Sequence, residues 1–143
     1  MRTEEEYDEF AERMETKYPE MFSEPYGGFC VDAGWWPIIE SLCSQIQHHV
    51  KWKQEQKEQY GRGEGCPPVI VRQIKEKFGG LRFYYDGGDD YVSGLVSMAE
   101  SWAGHVCEEC GNPGKSRSTG WIKTLCDEHS AEREARYKER FGE

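Results

Sequence analysis

Long apolar runs are missing from this chain of 143 residues. None approaches the roughly 18 apolar residues that a membrane-crossing helix needs, so no membrane partner is expected. The opening MRTEEEYDEF is acidic and has no apolar stretch, which predicts that no export signal is present. Positive charge is in deficit: 18 Lys and Arg face 27 Asp and Glu, for a net charge of −9. A general nucleic-acid coat protein needs the opposite balance. A Gly-rich phosphate loop and a serine nucleophile elbow are also missing, which counts against those two chemistries. No internal repeat appears.

What is present is enough for one folded core. Apolar residues make up 36% of the chain and aromatics 13%, and a chain of this length buries roughly two-thirds of its unfolded surface. The charge is segregated. Residues 1–25 carry nine acids and three bases, whereas residues 51–82 carry eight bases and four acids. Either an acidic first helix folds against a basic middle and pairs with it, or the protein shows one acidic and one basic surface, each with its own partner.

The chemistry concentrates near the end. Cys107 and Cys110 lie in CEEC, Cys126 and His129 in CDEH, with a 15-residue spacer between the two couples. Each couple places two ligands on one tight turn, aimed at one point. Such a set of four soft or borderline donors suits Zn(II) in a closed tetrahedron, with no position left for water, so the expected cofactor is structural zinc. Gly111 lets the backbone turn back after the second cysteine, and Cys126 and His129 share one face of a helix start. The remaining thiols, Cys30, Cys43 and Cys66, are expected to be reduced, in a cytosolic protein.

Pattern and punctuation place the other elements. A helix is expected over residues 3–17, with Thr3 and Glu6 as a capping box and Pro19 as its stop. Residues 19–34 read as an ordered loop anchored by Phe22, Tyr26 and Phe29. A second helix starts at Trp36 with Pro37 in its first turn, buries Ile39, Leu42, Cys43, Ile46 and Val50, and ends at Gly61. GRGEGCPP reads as a linker. Residues 69–85 read as a β-hairpin turning on Gly79-Gly80, which would set Phe78 opposite Leu81, Glu76 opposite Phe83, Ile74 opposite Tyr85, Lys77 opposite Arg82 and Lys75 opposite Tyr84. A third helix, capped by Asp89 or Asp90, carries a stripe of Tyr91, Leu95, Met98 (with Ala99) and Trp102 and ends at Gly104. A strand over Trp121–Leu125 and a charged helix from Asp127 to about Phe141 complete the chain, with Ala131, Ala135 and Tyr137 as modest contacts.

Other chemistry-bearing residues have ordinary accounts as well as functional ones. Lys77 facing Arg82 would cost up to about 1 kcal/mol, which the acidic first helix or an anionic ligand must offset. Lys75, Lys77, Arg82 and Tyr84 therefore form a candidate site for a phosphate with a base stacked on the ring. Asp86, Asp89 and Asp90 are suited to a divalent cation or simply to a turn and cap. His105 is a conceivable catalytic group but reads as solvent-facing. His48 and His49 point about 100° apart on a helix and cannot share a metal; His49 reads as a residue at the core boundary. Trp35-Trp36 reads as core.

The order of knuckle, turn-rich spacer, short strand and helix-borne ligands over residues 107–141 resembles a treble-clef zinc finger. Nuclease members of that class add a catalytic histidine, which GNPGKSRSTGWIKTL lacks. Through KEKFGGLRFYYDGGDDY, GLVSMAE, CEECGNPG and GWIKTLCDEH, the chain also resembles a family of small proteins encoded by bacteriophages and prophages. That resemblance implies an accessory protein in the cytosol of an infected bacterium, acting on a host macromolecule in host takeover or counter-defence, and brings no catalytic residues. The expectation is thus an α+β fold with four helices around a β-hairpin. Residues 1–104 form the core (helix, helix, hairpin, helix), and residues 105–143 form a treble-clef-like zinc module packed on it. Non-enzymatic binding of a host protein leads. A nucleotide or nucleic-acid binder using the hairpin face, and a metal-dependent hydrolase centred on the Asp86–Asp90 turn or His105, are the rivals.

Overall fold

The computed structural model describes residues 2–118 and 120–142; Met1, Thr119 and Glu143, which the expected boundaries include, lie outside them. Helix α1 (Glu4–Lys17) begins where expected. Thr3 Oγ1 accepts from the Glu6 N–H at 3.2 Å. The reciprocal half of the capping box is not made, because Glu6 turns toward Arg2 at 3.5 Å. Phe10 of α1 stacks on Trp36, with centroids 4.5 Å apart and planes 3° from parallel. Phe22, Tyr26 and Phe29 are buried as anchors of the following loop, and residues Phe29–Cys30 form a short strand, β1, that the sequence reading missed.

Helix α2 (Trp36–Tyr60) follows a single turn of tighter helix at Ala33–Trp35 and ends on Gly61 in a left-handed conformation. It buries Ile39, Leu42, Cys43 and Ile46. Strands β2 (Ile70–Lys77) and β3 (Gly80–Asp86) form the expected hairpin, and β1 joins β2 in parallel to give the order β1-β2-β3.

The hairpin register differs from the expected one. The turn is Phe78-Gly79, both at positive φ (54° and 77°). Lys77 pairs with Gly80, Glu76 with Leu81, Lys75 with Arg82 and Ile74 with Phe83. One contact from within the hairpin and one from outside it hold this tip. Glu76 Oε2 accepts from the Gly79 N–H at 2.7 Å, and the Gly79 carbonyl accepts from Thr124 Oγ1 at 2.7 Å. Phe78, expected opposite Leu81, leaves the ladder for the turn and is 63% exposed; each of the other cross-strand partners moves by two positions, an even number, so those side chains keep their face. Ile74, Leu81 and Phe83 are still buried together. A bulge between Val71 and Gln73 then returns Val71 to the core face.

Helix α3 (Asp90–Ala103) is rotated from its expected setting. It buries Val92, Val96, Ala99 and Ala103. Small side chains let the helix approach β3 closely, and Glu100 reaches the open sheet edge, where it accepts the Phe83 N–H at 2.8 Å. The large residues Tyr91, Met98 and Trp102 face outward, Met98 with 67% and Trp102 with 57% exposure.

Strands β4 (Lys115–Arg117) and β5 (Lys123–Leu125) form a second hairpin, followed by α4 (Asp127–Phe141). Trp121 and Ile122, expected in the strand, lie before it and are exposed; Leu125 alone of the three is buried. Ala131, Ala135 and Tyr137 are likewise exposed, so α4 is anchored by its first turn and by Arg133, which donates to the Trp121 carbonyl. The result is α+β with four α-helices and two small sheets among the described residues. None of these helices is long and apolar enough to cross a membrane.

Candidate metal centre

Cys107, Cys110, Cys126 and His129 converge, with their ligating atoms all within 4.8 Å of one another. Local chain geometry brings each couple together. The Cys107 carbonyl accepts from the Gly111 N–H at 3.0 Å, closing the knuckle, and Val106 bridges to Pro113. Cys126 caps α4, its sulfur accepting from the His129 N–H at 3.4 Å, just as Cys110 Sγ accepts from the Asn112 N–H at 3.5 Å. Such N–H···S contacts spread the charge of a thiolate.

The spacing fits a metal. Zinc bonds of about 2.3 Å to sulfur and about 2.0 Å to nitrogen set tetrahedral edges of roughly 3.6–3.8 Å. Cys110 Sγ lies 3.8 Å from Cys126 Sγ, and His129 Nδ1 lies 3.7 Å from Cys107 Sγ and 3.2 Å from Cys126 Sγ. His129 therefore presents Nδ1, while Nε2 lies 4.0 Å from a carboxylate oxygen of Glu132. Burial pushes the Cys126 thiol up, but the backbone N–H and ring of His129, then Cys107 and Cys110, outweigh it and bring it down to about 7. Burial, then the neighbouring thiols, pushes Cys110 up to about 11 despite the opposing Asn112 N–H.

The centre is docked on the rest of the fold by buried polar contacts. The Gly34 N–H donates to the Glu108 carbonyl at 2.7 Å, and Trp35 Nε1 donates to the Val106 carbonyl at 2.9 Å. Glu108, 1% exposed, accepts from the Thr124 N–H at 2.7 Å and from Lys123 Nζ at 3.4 Å. Burial raises its carboxyl above the usual range, against the pull of Thr124 and Lys123. Trp35 is wholly buried, as expected for core.

The other candidate residues fare differently. Lys75, Lys77, Arg82 and Tyr84 do share one face of the hairpin, but Lys75, not Lys77, stands opposite Arg82. Lys75 Nζ lies 5.9 Å from the Tyr84 ring centroid, and Tyr84 is 44% exposed. The acidic first helix does not offset these cations. Its ion pairs to the rest of the fold run from its bases, Arg13 and Lys17, to Glu40, and among the described residues Lys75, Lys77 and Arg82 form no ion pair. Asp86, Asp89 and Asp90 do not converge. Asp86 pairs with Arg72 at 2.6 Å, Asp89 caps α3, and Asp90 is the exposed first residue of that helix. His105 is exposed. The sequence reading missed that His49 meets Asp89 across the fold, with Nε2 2.8 Å from Oδ2. Comparison of the chain with protein-family models, with curated proteins and with solved structures gave no match.

Proposed function

We propose that Cys107, Cys110, Cys126 and His129 hold a structural Zn(II), that knuckle, β4–β5 hairpin and α4 form a treble-clef-like module around it, and that the protein works by binding and not by catalysis. The closed donor set carries this reading: four ligating atoms at tetrahedral spacing leave no position for a substrate. Among the described residues only Leu125 joins Cys107 and Cys126 in the buried apolar cluster here, so the metal replaces a core. The partner is a host protein, in line with the resemblance to phage-encoded accessory proteins of the bacterial cytosol. An apolar groove between α2 and α3 supports a protein partner: it measures about 380 Å³ and is lined by Pro37, Ile38, Leu42, Leu95, Met98 and Trp102. Outward-facing apolar side chains of this size mark interaction surfaces.

Two measurements test the reading. Elemental analysis of folded protein should find zinc, and Cys126→Ser should lose it together with the structure of residues 105–142; folded, zinc-free protein would end the proposal. Met98→Asp with Trp102→Asp should abolish capture of a host protein that the wild type retains, with the circular dichroism unchanged. Undiminished capture would remove the groove as the gripping surface.

The unpaired cations of the β2–β3 face favour a second reading, a nucleotide or single-stranded nucleic acid held by Lys75, Lys77, Arg82 and Tyr84. Lys75→Glu with Arg82→Glu should then abolish oligonucleotide binding in a fluorescence anisotropy titration, and unchanged affinity excludes it.

A further inference from the structure

A second group of ligating atoms converges away from the Cys107 cluster. His49 Nε2, Cys66 Sγ and a carboxylate oxygen of Asp89 all lie within 4.8 Å of one another. His49 comes from α2, Cys66 from the linker before β2, and Asp89 from the cap of α3. The segments that carry them are locked together. The Gly88 N–H donates to the Pro67 carbonyl at 3.0 Å, and a Cβ on Gly87 would stand 1.9 Å from the Pro68 carbonyl oxygen, so the Asp86–Asp89 turn and the Cys-Pro-Pro segment touch backbone to backbone. Tyr91 stacks on the His49 ring, with centroids 4.2 Å apart and planes 20° from parallel. Asp89 Oδ1 accepts from the Val92 N–H at 3.1 Å, which leaves Oδ2 toward His49 Nε2 at 2.8 Å.

A His–Asp hydrogen bond accounts for two of these groups. The third is a buried thiol, which donates to the Pro67 carbonyl at 3.5 Å while its sulfur stays within reach of both. One sulfur, one imidazole nitrogen and one carboxylate oxygen form a borderline donor set, suited to zinc and unsuited to the oxygen-seeking Mg(II) and Ca(II). Thiolate and carboxylate together balance the charge of the ion. With three protein ligands, tetrahedral zinc keeps a fourth position, and Asp89 lies partly at the surface, so that position opens to solvent.

We propose that His49, Cys66 and Asp89 form a second zinc site, distinct from the Cys107 centre, with its remaining coordination position open to water. Native mass spectrometry of the full chain, equilibrated with micromolar free zinc, should count one ion more per chain in the wild type than in His49→Gln or Asp89→Asn. Asn retains an oxygen for the α3 cap, so the far-ultraviolet circular dichroism of Asp89→Asn should match the wild type. Cobalt supplies a second readout. The wild-type-minus-His49→Gln difference spectrum should contain a thiolate charge-transfer band that Cys66→Ser removes. Equal zinc counts in the wild type and the folded variants overturn the proposal, and so does a difference spectrum without that band. Should both substitutions unfold the chain, the wild-type count decides, and a single ion per chain overturns the second site.

Discussion

Replacing Gly34 with alanine should separate the segment that carries the Cys107 cluster from the core. A Cβ at this position would lie 2.1 Å from the Cys107 carbonyl oxygen and 2.5 Å from the carbonyl carbon and oxygen of Glu108. Ordinary contact needs about 3.4 Å, so the two backbones must part by about 1 Å in an interior that has no slack. Gly34 is not in the left-handed region, so the effect is steric and not conformational. Overpacking of this kind costs about 1–3 kcal/mol. The displacement also breaks the Gly34–Glu108 and Trp35–Val106 hydrogen bonds, worth about 1 kcal/mol each. The expected loss is about 3–5 kcal/mol, a large part of the stability of a typical domain, and a fall in Tm of roughly 10–17 °C. Thermal and urea unfolding followed by circular dichroism measure it. Gly94→Ala is the control, because a Cβ there meets nothing within 4 Å inside α3; it should gain about 0.5–1 kcal/mol. A Gly34→Ala protein within about 0.5 kcal/mol of the wild type would refute the docking argument, since surface changes alone stay inside that range.

Two other outcomes follow from buried polar groups. Glu108→Gln puts an amide where both neighbours, the Thr124 N–H and Lys123 Nζ, are donors; it should cost about 1–3 kcal/mol in urea unfolding, and an unchanged midpoint would show that the carboxylate is dispensable. Burial, then the Asp32 charge and hydrogen bond, pushes the Tyr7 phenol up to about 12, and burial with Glu15 raises Tyr26 as well. The folded chain thus holds these protons more tightly than the unfolded one. The contribution of Tyr7 to stability is whole below the ordinary phenol pKa of about 10 and is lost as pH rises through about 12, and that of Tyr26 is lost in the same direction. Tyr7→Phe with Tyr26→Phe should flatten the alkaline limb of a stability–pH curve; an identical limb contradicts the assignment.

Much of the fold was legible because its signals are local. Thr3, Pro37, Gly61, Asp89 and Gly104 mark helix ends through bonds and dihedrals that reach only a few residues along the chain. Alternation correctly assigned the inner and outer faces of the β2–β3 hairpin even though the turn was misplaced, since faces follow parity and register does not. The α3 stripe was misread because apolar residues of both sizes lie on that helix, and periodicity does not tell which face is the closer fit to a sheet. β1 was too short to carry a pattern at all.

The donor set Cys107, Cys110, Cys126 and His129 was decided by the sequence alone: each couple sits on one turn, where the spacing of the residues is the spacing of the ligands. Only the tertiary structure decided the anchoring of the hairpin tip by Thr124; the docking of Gly34 on the knuckle; and the meeting of His49, Cys66 and Asp89. Those residues lie 17 to 40 positions apart, and no rule of local spacing links them. They meet because the Pro67–Pro68 segment packs against Gly87 and Gly88, a contact that exists only once the helices and the sheet have closed around a common core.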